Sequence, residues 1–406
     1  MINRELYLAK IRPFMNKPFV KVITGVRRSG KSAILRMVKD ELEKMTVKPE
    51  DIIYINFDSM KNSGIENGAD LYTHVSKRII QNEKSYLMFD EIQEVINWEK
   101  AINSFLVDFD VDIYITGSNS RLLSSELSTY IAGRYVEFTV YPLSFAETFD
   151  FLTGYKIDQT TTSIDEYFDH FAKIGGFPVL YTSNYDEDSA LKIVSDIYSS
   201  VILRDIVSRH NIRNIALLEK IIKFIFDNIG NTFSAKAMSD YFKNEKRTVN
   251  IETIYNYLSY LEDAFIVYRV SRYDLRGKEI LKTSEKFYLS DQAFKNAIIG
   301  IKGYAISGIL ENIIYLELKR RDYTVYIGKL DDREIDFVAE RKGKKIYVQV
   351  AYRLSDEKTI DREFGNLLEI PDNHPKYVVS TEKVFSDNIK GVKHVNIAEF
   401  LLMKEY

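Results

Sequence analysis

The chain has no cysteine, which excludes disulfides, Cys-ligated zinc and a thiol nucleophile. Its five histidines are scattered, without the spacing of a metal site. No hydrophobic run is long enough to span a bilayer. The opening Met1-Ile2-Asn3-Arg4-Glu5-Leu6 carries no apolar signal segment. A cytoplasmic location without a membrane partner is therefore expected. An excess of positive charge is missing too: the formal net charge of −3 excludes a globally basic nucleic-acid binder, though not a local basic face. Internal repeats and low-complexity tracts are lacking. What is present is 45% hydrophobic and 28% charged residues, an ordinary globular balance. The 406 residues leave room for about two to three domains, each with its own core.

The most informative stretch is Gly25-Val26-Arg27-Arg28-Ser29-Gly30-Lys31-Ser32, which fits G-x-x-x-x-G-K-[ST]. Phe19 to Thr24 reads as a buried strand before it. Ala33 to Leu42 reads as a helix after it, with Ile34, Met37, Val38 and Leu42 at helical spacing. A glycine-rich turn in that setting aims backbone N–H groups and the positive end of a helix at phosphates. Residues 25–32 together with Ala33 are the expected nucleotide contacts. Lys31 is expected on the β- and γ-phosphates, and the Ser32 hydroxyl on Mg²⁺. The plain alternative is a chance match on a surface loop.

Ser85-Tyr86-Leu87-Met88-Phe89 is an apolar run that ends in Asp90-Glu91. Ligands of open α/β sheets bind at the carboxyl ends of strands. Asp90 is expected to hold the Mg²⁺ shell and Glu91 to polarise a water for attack on the γ-phosphate. A further strand, Asp112 to Thr116, ends in Gly117-Ser118-Asn119-Ser120, where Asn119 or Ser118 suits the orientation of that water. Arg134 precedes another β-like run, Tyr135 to Val140, and either stabilises charge on the transferring phosphoryl group or is a surface arginine.

GVRRSGKS, the strand ending MFDEIQ with Trp98 after it, TGSNSRLLSSEL, the Gly133-Arg134 pair and YPLSFAETF together resemble prokaryotic AAA-type ATPases that carry a C-terminal DUF4143 region. The resemblance covers nearly the whole chain. It implies the roles above for Lys31, Ser32, Asp90 and Glu91. It makes Asn119 the sensor on the strand between the two Walker strands, and Arg134 a finger offered to a neighbouring subunit. Arg27 and Arg28 are typical of such loops, either touching phosphate or fixing the loop against acidic neighbours.

The expected architecture is α/β: a P-loop core over 1–150, a helical lid over 151–211, a winged helix over 212–295 and a nuclease-like α/β domain over 296–406. In the lid, Gly176-Phe177-Pro178 resembles the G-x-P motif of STAND-type signalling ATPases, which places Pro178 near the adenine; its alternative is a helix-ending turn. The helices at 215–225, 235–241 and 254–261, followed by two β-like runs, outline the winged helix. Lys243, Lys246, Arg247, Arg272, Arg276, Lys278 and Lys282 are its candidate phosphate contacts, interleaved with acids. The last region resembles the restriction-endonuclease-like fold. Glu311 and Asp336 match its acids, but Gln349 replaces a carboxylate and Ala351 a lysine, which argues against cleavage. The expected cofactors are ATP and Mg²⁺. Three functions follow: an ATPase coupled to its C-terminal domains, with DNA as one partner; a STAND-like switch of assembly, with further copies or another protein as partner; and, least, a Mg²⁺ nuclease.

Overall fold

Near-continuous apolar runs are the signature of strands covered on both faces, and the runs in the first part of the chain pair into one parallel sheet. The computed structural model describes residues 3–80, 83–120, 131, 133–154, 163–244, 248–301, 306–354, 356–383 and 388–406, without the side chains of 154 and 282–284. The chain divides into two units, Met1–Tyr141 with Asp263–Phe265, and Pro142–Glu262 with Ile266–Tyr406.

In the first unit the strands are β1 (Val20–Thr24), β2 (Ile52–Asn56), β3 (Ser85–Asp90), β4 (Val111–Gly117) and β5 (Tyr135–Thr139). Their order is β2-β3-β4-β1-β5, and every pairing is parallel. The helices are α1 (Glu5–Ile11), α2 (Lys31–Lys44), α3 (Gly68–Ser76) and α4 (Trp98–Asp108). Successive strand residues point to opposite faces, so two cores form. Val22, Phe89 and Ile115 pack with Leu71, Trp98 and Phe105 of α3 and α4. Ile23, Met88 and Tyr114 pack with Tyr7, Ile34, Leu35 and Val38 of α1 and α2. The register pairs Thr24 with Gly117 and Asn56 with Asp90, which aligns the carboxyl ends of four strands along one edge.

The second unit opens with helices α5 (Phe145–Gly154), α6 (Ile164–Ile174) and α7 (Glu187–Ser200), the last continuing as a π-helical segment Val201–Ser208. Their starts are written locally: Ser163 and Glu166 form a capping box, and Asp186 caps α7. Helices α8 (Ile215–Asp227), α9 (Ala235–Asn244) and α10 (Ile251–Asp263) precede a hairpin of β6 (Val267–Asp274) and β7 (Glu279–Leu289). Helices α11 (Ala293–Ile299) and α12 (Ile306–Arg320) lead to β8 (Thr324–Leu330), β9 (Arg333–Arg341) and β10 (Lys344–Ala351). Helix α13 (Glu357–Leu368), β11 (Lys376–Ser380), β12 (Asn388–Ile389), β13 (Val392–Asn396) and α14 (Ile397–Leu402) complete it.

These strands make one mixed sheet, β12-β13-β11-β10-β9-β8-β6-β7. Strand β6 pairs with β8 in parallel through Arg272–Ile327, Tyr273–Gly328 and Asp274–Lys329. The hairpin expected of a winged helix and the strands expected of a nuclease-like domain therefore share a sheet.

Candidate nucleotide site

The G-x-x-x-x-G-K-S turn joins β1 to α2. Gly25 is required there: a Cβ at this position would stand 2.1 Å from the Val140 carbonyl oxygen. Gly30 caps α2 with φ of 101°, a left-handed conformation that suits glycine. Arg28 is exposed, and Arg27 lies 3.5 Å from an acidic neighbour of the loop, Asp58. The first turn of α2, with Lys31, Ser32 and Ala33, places the positive end of the helix at the strand edge.

Asp90 organises the centre. Its Oδ1 accepts hydrogen bonds from Ser32 Oγ at 3.0 Å and Thr116 Oγ1 at 2.6 Å. Its Oδ2 accepts from Tyr54 OH at 2.8 Å and Asn56 Nδ2 at 3.1 Å. Burial, then the Asp90 charge, pushes the Tyr54 phenol up to about 12, so it stays a donor. Glu91 adopts a left-handed conformation with φ of 57°, and its backbone N–H donates to Thr116 Oγ1 at 2.9 Å. Its carboxylate lies 3.7 Å from Lys31 Nζ, which donates to the carbonyls of Gly25 and Val26 at 3.1 and 3.2 Å.

Lys31, Ser32, Asp90 and Glu91 thus converge. Ser118 and Asn119, both buried, follow Gly117 and so lie beside Gly25 by strand register. Arg134 does not converge. Its carbonyl accepts from Val20 N, at the start of β1, so it stands one strand length, roughly 15 Å, from the loop at the other end. Pro178 belongs to the second unit, where it opens a 3-10 turn, Pro178–Tyr181, behind buried Phe177. Sequence reading missed Thr116, Tyr54 and Asn56. The signal for Thr116 and Asn56 was a polar residue ending an apolar strand.

In the second unit the two nuclease-like acids meet a cation from the hairpin. Lys286 Nζ lies 3.3 Å from Glu311 and 3.9 Å from Asp336, and 2.7 Å from Glu334. Burial pulls the Lys286 pKa down, and the charges of Glu311, Asp336 and Glu334 more than reverse that, leaving it above an ordinary lysine. Gln349 Oε1 accepts from Asp336 N at 3.2 Å, and Ala351 is buried. Two of the candidate phosphate contacts are paired with acids: Arg276 with Asp331, and Lys243 with Asp240 at 3.2 Å. Lys246, Arg247 and the Lys282 side chain lie outside the described residues.

A family model described as an AAA domain matches residues 17–149. An uncharacterised protein of Haemophilus influenzae is 38% identical over 403 residues, covering 99% of this chain and 99% of its own. The chain belongs to the family of that protein. An uncharacterised protein of Methanocaldococcus jannaschii is 32% identical over 367 residues, covering 88% of this chain and 78% of its own. Among solved structures, the Walker-type ATPase PABY2304 of Pyrococcus abyssi is similar over 74% of this chain and 96% of its own, with a TM-score of 0.51 and 15% identity. The family's fold is that of an AAA-type P-loop ATPase, with a parallel sheet carrying the loop. Residues 165–305 match a domain of unknown function (DUF8612), in place of the DUF4143 region that the sequence resemblance implied. No described helix is long and apolar enough to cross a membrane.

Proposed function

We propose that this protein binds ATP with Mg²⁺ and hydrolyses it, and that the nucleotide cycle drives its C-terminal domains. The observation that carries this is the Asp90 carboxylate, bonded to the Ser32 hydroxyl beside Lys31 and Glu91. Lys31 and the loop N–H groups of residues 25–33 bind the phosphates. Ser32 and Asp90 hold Mg²⁺, an oxygen-only set. Among the described residues no cluster of three or more His, Asp or Glu cages an ion, which suits a cation held by one or two side chains and the substrate's phosphates. The ion, when bound, neutralises charge on the phosphoryl oxygens. Glu91 takes the proton of the attacking water, and Asn119 orients that water. Arg134, remote from its own chain's loop, serves the site of a neighbouring copy. Pro178 contacts the adenine.

Residues 212–295 are read as a winged helix and 296–406 as a nuclease-like domain without cleavage activity, because Lys286 already supplies a cation to Glu311 and Asp336. DNA is one partner of this ATPase reading. The second reading, a STAND-like switch of protein assembly, is favoured by the acids that pair with Arg276 and Lys243.

The test is the steady-state ATPase rate with Mg²⁺, alone and with single- or double-stranded DNA. Lys31→Ala is expected to lose nucleotide binding, and Glu91→Gln to keep ATP but stall. Mixing Arg134→Ala with Asp90→Ala chains is expected to restore part of the activity if the arginine acts in trans. Stimulation by DNA supports the DNA-coupled reading; nucleotide-dependent assembly without stimulation supports the switch. A wild-type rate equal to that of Lys31→Ala would overturn hydrolysis at this site.

A further inference from the structure

The reading above leaves Gln93 unused, yet it is the residue that grips the Glu91 carboxylate. Gln93 Nε2 donates to Glu91 Oε2 at 2.5 Å, on the oxygen opposite the one that faces Lys31. The grip is built rather than incidental. Gln93 stands in the 3-10 turn Ile92–Glu94, whose flanking Ile92 and Val95 are buried in the core with Phe89 and Trp98. Backbone bonds from Glu94 N to Glu91 O at 3.2 Å and from Val95 N to Ile92 O at 3.0 Å close the turn.

The amide's orientation follows from chemistry. Turned the other way, its carbonyl oxygen would face a carboxylate oxygen, two acceptors with no proton between them. With Nε2 on Glu91, the carbonyl Oε1 is left buried without a donor. Such an arrangement gives up one hydrogen bond to fix the carboxylate. Glu91 itself is held on the other side by its left-handed backbone and by the bond from its N–H to Thr116.

We propose that Gln93 is a positioning residue for the water-activating carboxylate of Glu91: it fixes which oxygen of Glu91 faces Lys31 and the phosphates and which is turned away. The proposal rests on the hydrolysis reading for Glu91. A base works only within hydrogen-bond reach of the proton it takes, so a carboxylate free to rotate loses rate and not affinity. In this role Gln93 acts through Glu91, the residue its amide bonds.

The test uses the full chain with four variants: Gln93→Ala, Gln93→Glu, Glu91→Gln and the double variant Gln93→Ala/Glu91→Gln. Gln93→Ala is expected to lower kcat about tenfold while the KM for ATP stays within about twofold. Gln93→Glu, of the same shape, sets a second carboxylate against Glu91, repels it from its position, and is expected to lower kcat at least as far, again with the KM for ATP within about twofold. A residue that served only the fold would not lose kcat while KM stays unchanged. In single turnover the double variant is expected to match Glu91→Gln, because two changes acting through one group are not additive. Wild-type kcat in Gln93→Ala overturns the proposal, as does a further loss of equal size on top of Glu91→Gln. If Glu91→Gln stalls and Gln93→Ala does not, only the Gln93 proposal falls. If Glu91→Gln itself turns over like wild type, the hydrolysis reading for Glu91 falls and the proposal with it.

Discussion

Arg4 Nη1 donates to the Ser29 carbonyl at 3.0 Å, tying the phosphate-binding loop to the head of the first helix. The same guanidinium donates through Nη2 to the Tyr141 carbonyl at 2.9 Å and lies 4.6 Å above the Tyr7 ring. Tyr7 OH in turn accepts from Tyr141 N at 3.1 Å. One buried fork thus spans the loop and the segment that follows β5, the segment whose Val140 leaves no room for a side chain at Gly25.

Arg4→Ala leaves two buried carbonyls without that donor. An unsatisfied buried acceptor costs about 1–3 kcal/mol, so the variant is expected to melt several degrees lower. ATP affinity is expected to fall about tenfold as the loop loosens. Arg4→Lys recovers at most one of the two bonds, since an ammonium lacks the planar fork. Calorimetric melting and titration with ATP read both effects. Wild-type melting and wild-type affinity in Arg4→Ala would show that the loop is held by other contacts.

The Lys286 cluster makes a second prediction. Removing one partner of a buried ion pair typically costs about 3–5 kcal/mol, because the other charge stays behind. Lys286→Met strands Glu311 and Asp336 in this way. Burial already pushes both carboxyls above the usual range, and the Glu311 charge adds to the rise at Asp336. In the variant their raised values mean that protons replace the lost ammonium as pH falls. The deficit measured by urea denaturation is therefore expected to be large at pH 8 and smaller at pH 5. A deficit independent of pH would show that Lys286 contributes packing and not charge.

The elements that sequence reading located are those whose signals are local. The phosphate loop and the acid pair ending β3 are each written within a few residues. What was not legible depends on partners far along the chain. Arg4 reaches Ser29 and Tyr141 across the unit, and no spacing announces it. Lys21 and Asp112 read as polar positions in apolar runs, yet they form a buried ion pair whose Asp112 also accepts from Tyr114 OH at 2.7 Å. The two β-like runs at 265–270 and 286–289 were readable as a hairpin, but not that β6 would go on to pair with β8 some fifty residues later. Register between distant strands is set by the assembled sheet and leaves no periodic mark.

Asp291 carries the clearest pH signature. It is buried beneath the Gly175-Gly176-Phe177-Pro178 turn, where Oδ2 accepts from Gly176 N at 2.7 Å and Oδ1 from Ala293 N at 2.8 Å. A Cβ at Gly175, whose φ is 79°, would stand 1.9 Å from that Oδ1. Burial pushes the carboxyl up from 3.8 to about 6, against the two N–H donors and the Arg320 charge that hold it down. A folded-state pKa raised above the unfolded one means that the native state binds the proton more tightly. The stability this contributes is complete below pH 3.8 and is lost as pH rises through about 6. At ~1.4 kcal/mol per pH unit between the two values, the change is about 3 kcal/mol. Asp291→Asn cannot titrate, so the stability of wild type relative to this variant is expected to fall by about that amount between pH 4 and pH 7. Urea denaturation of both chains across that range reads the difference directly, because every other titrating group is common to the two. Parallel stability curves would mean that Asp291 keeps its proton equilibrium unchanged on folding, and that the turn is held by its glycines rather than by this carboxyl.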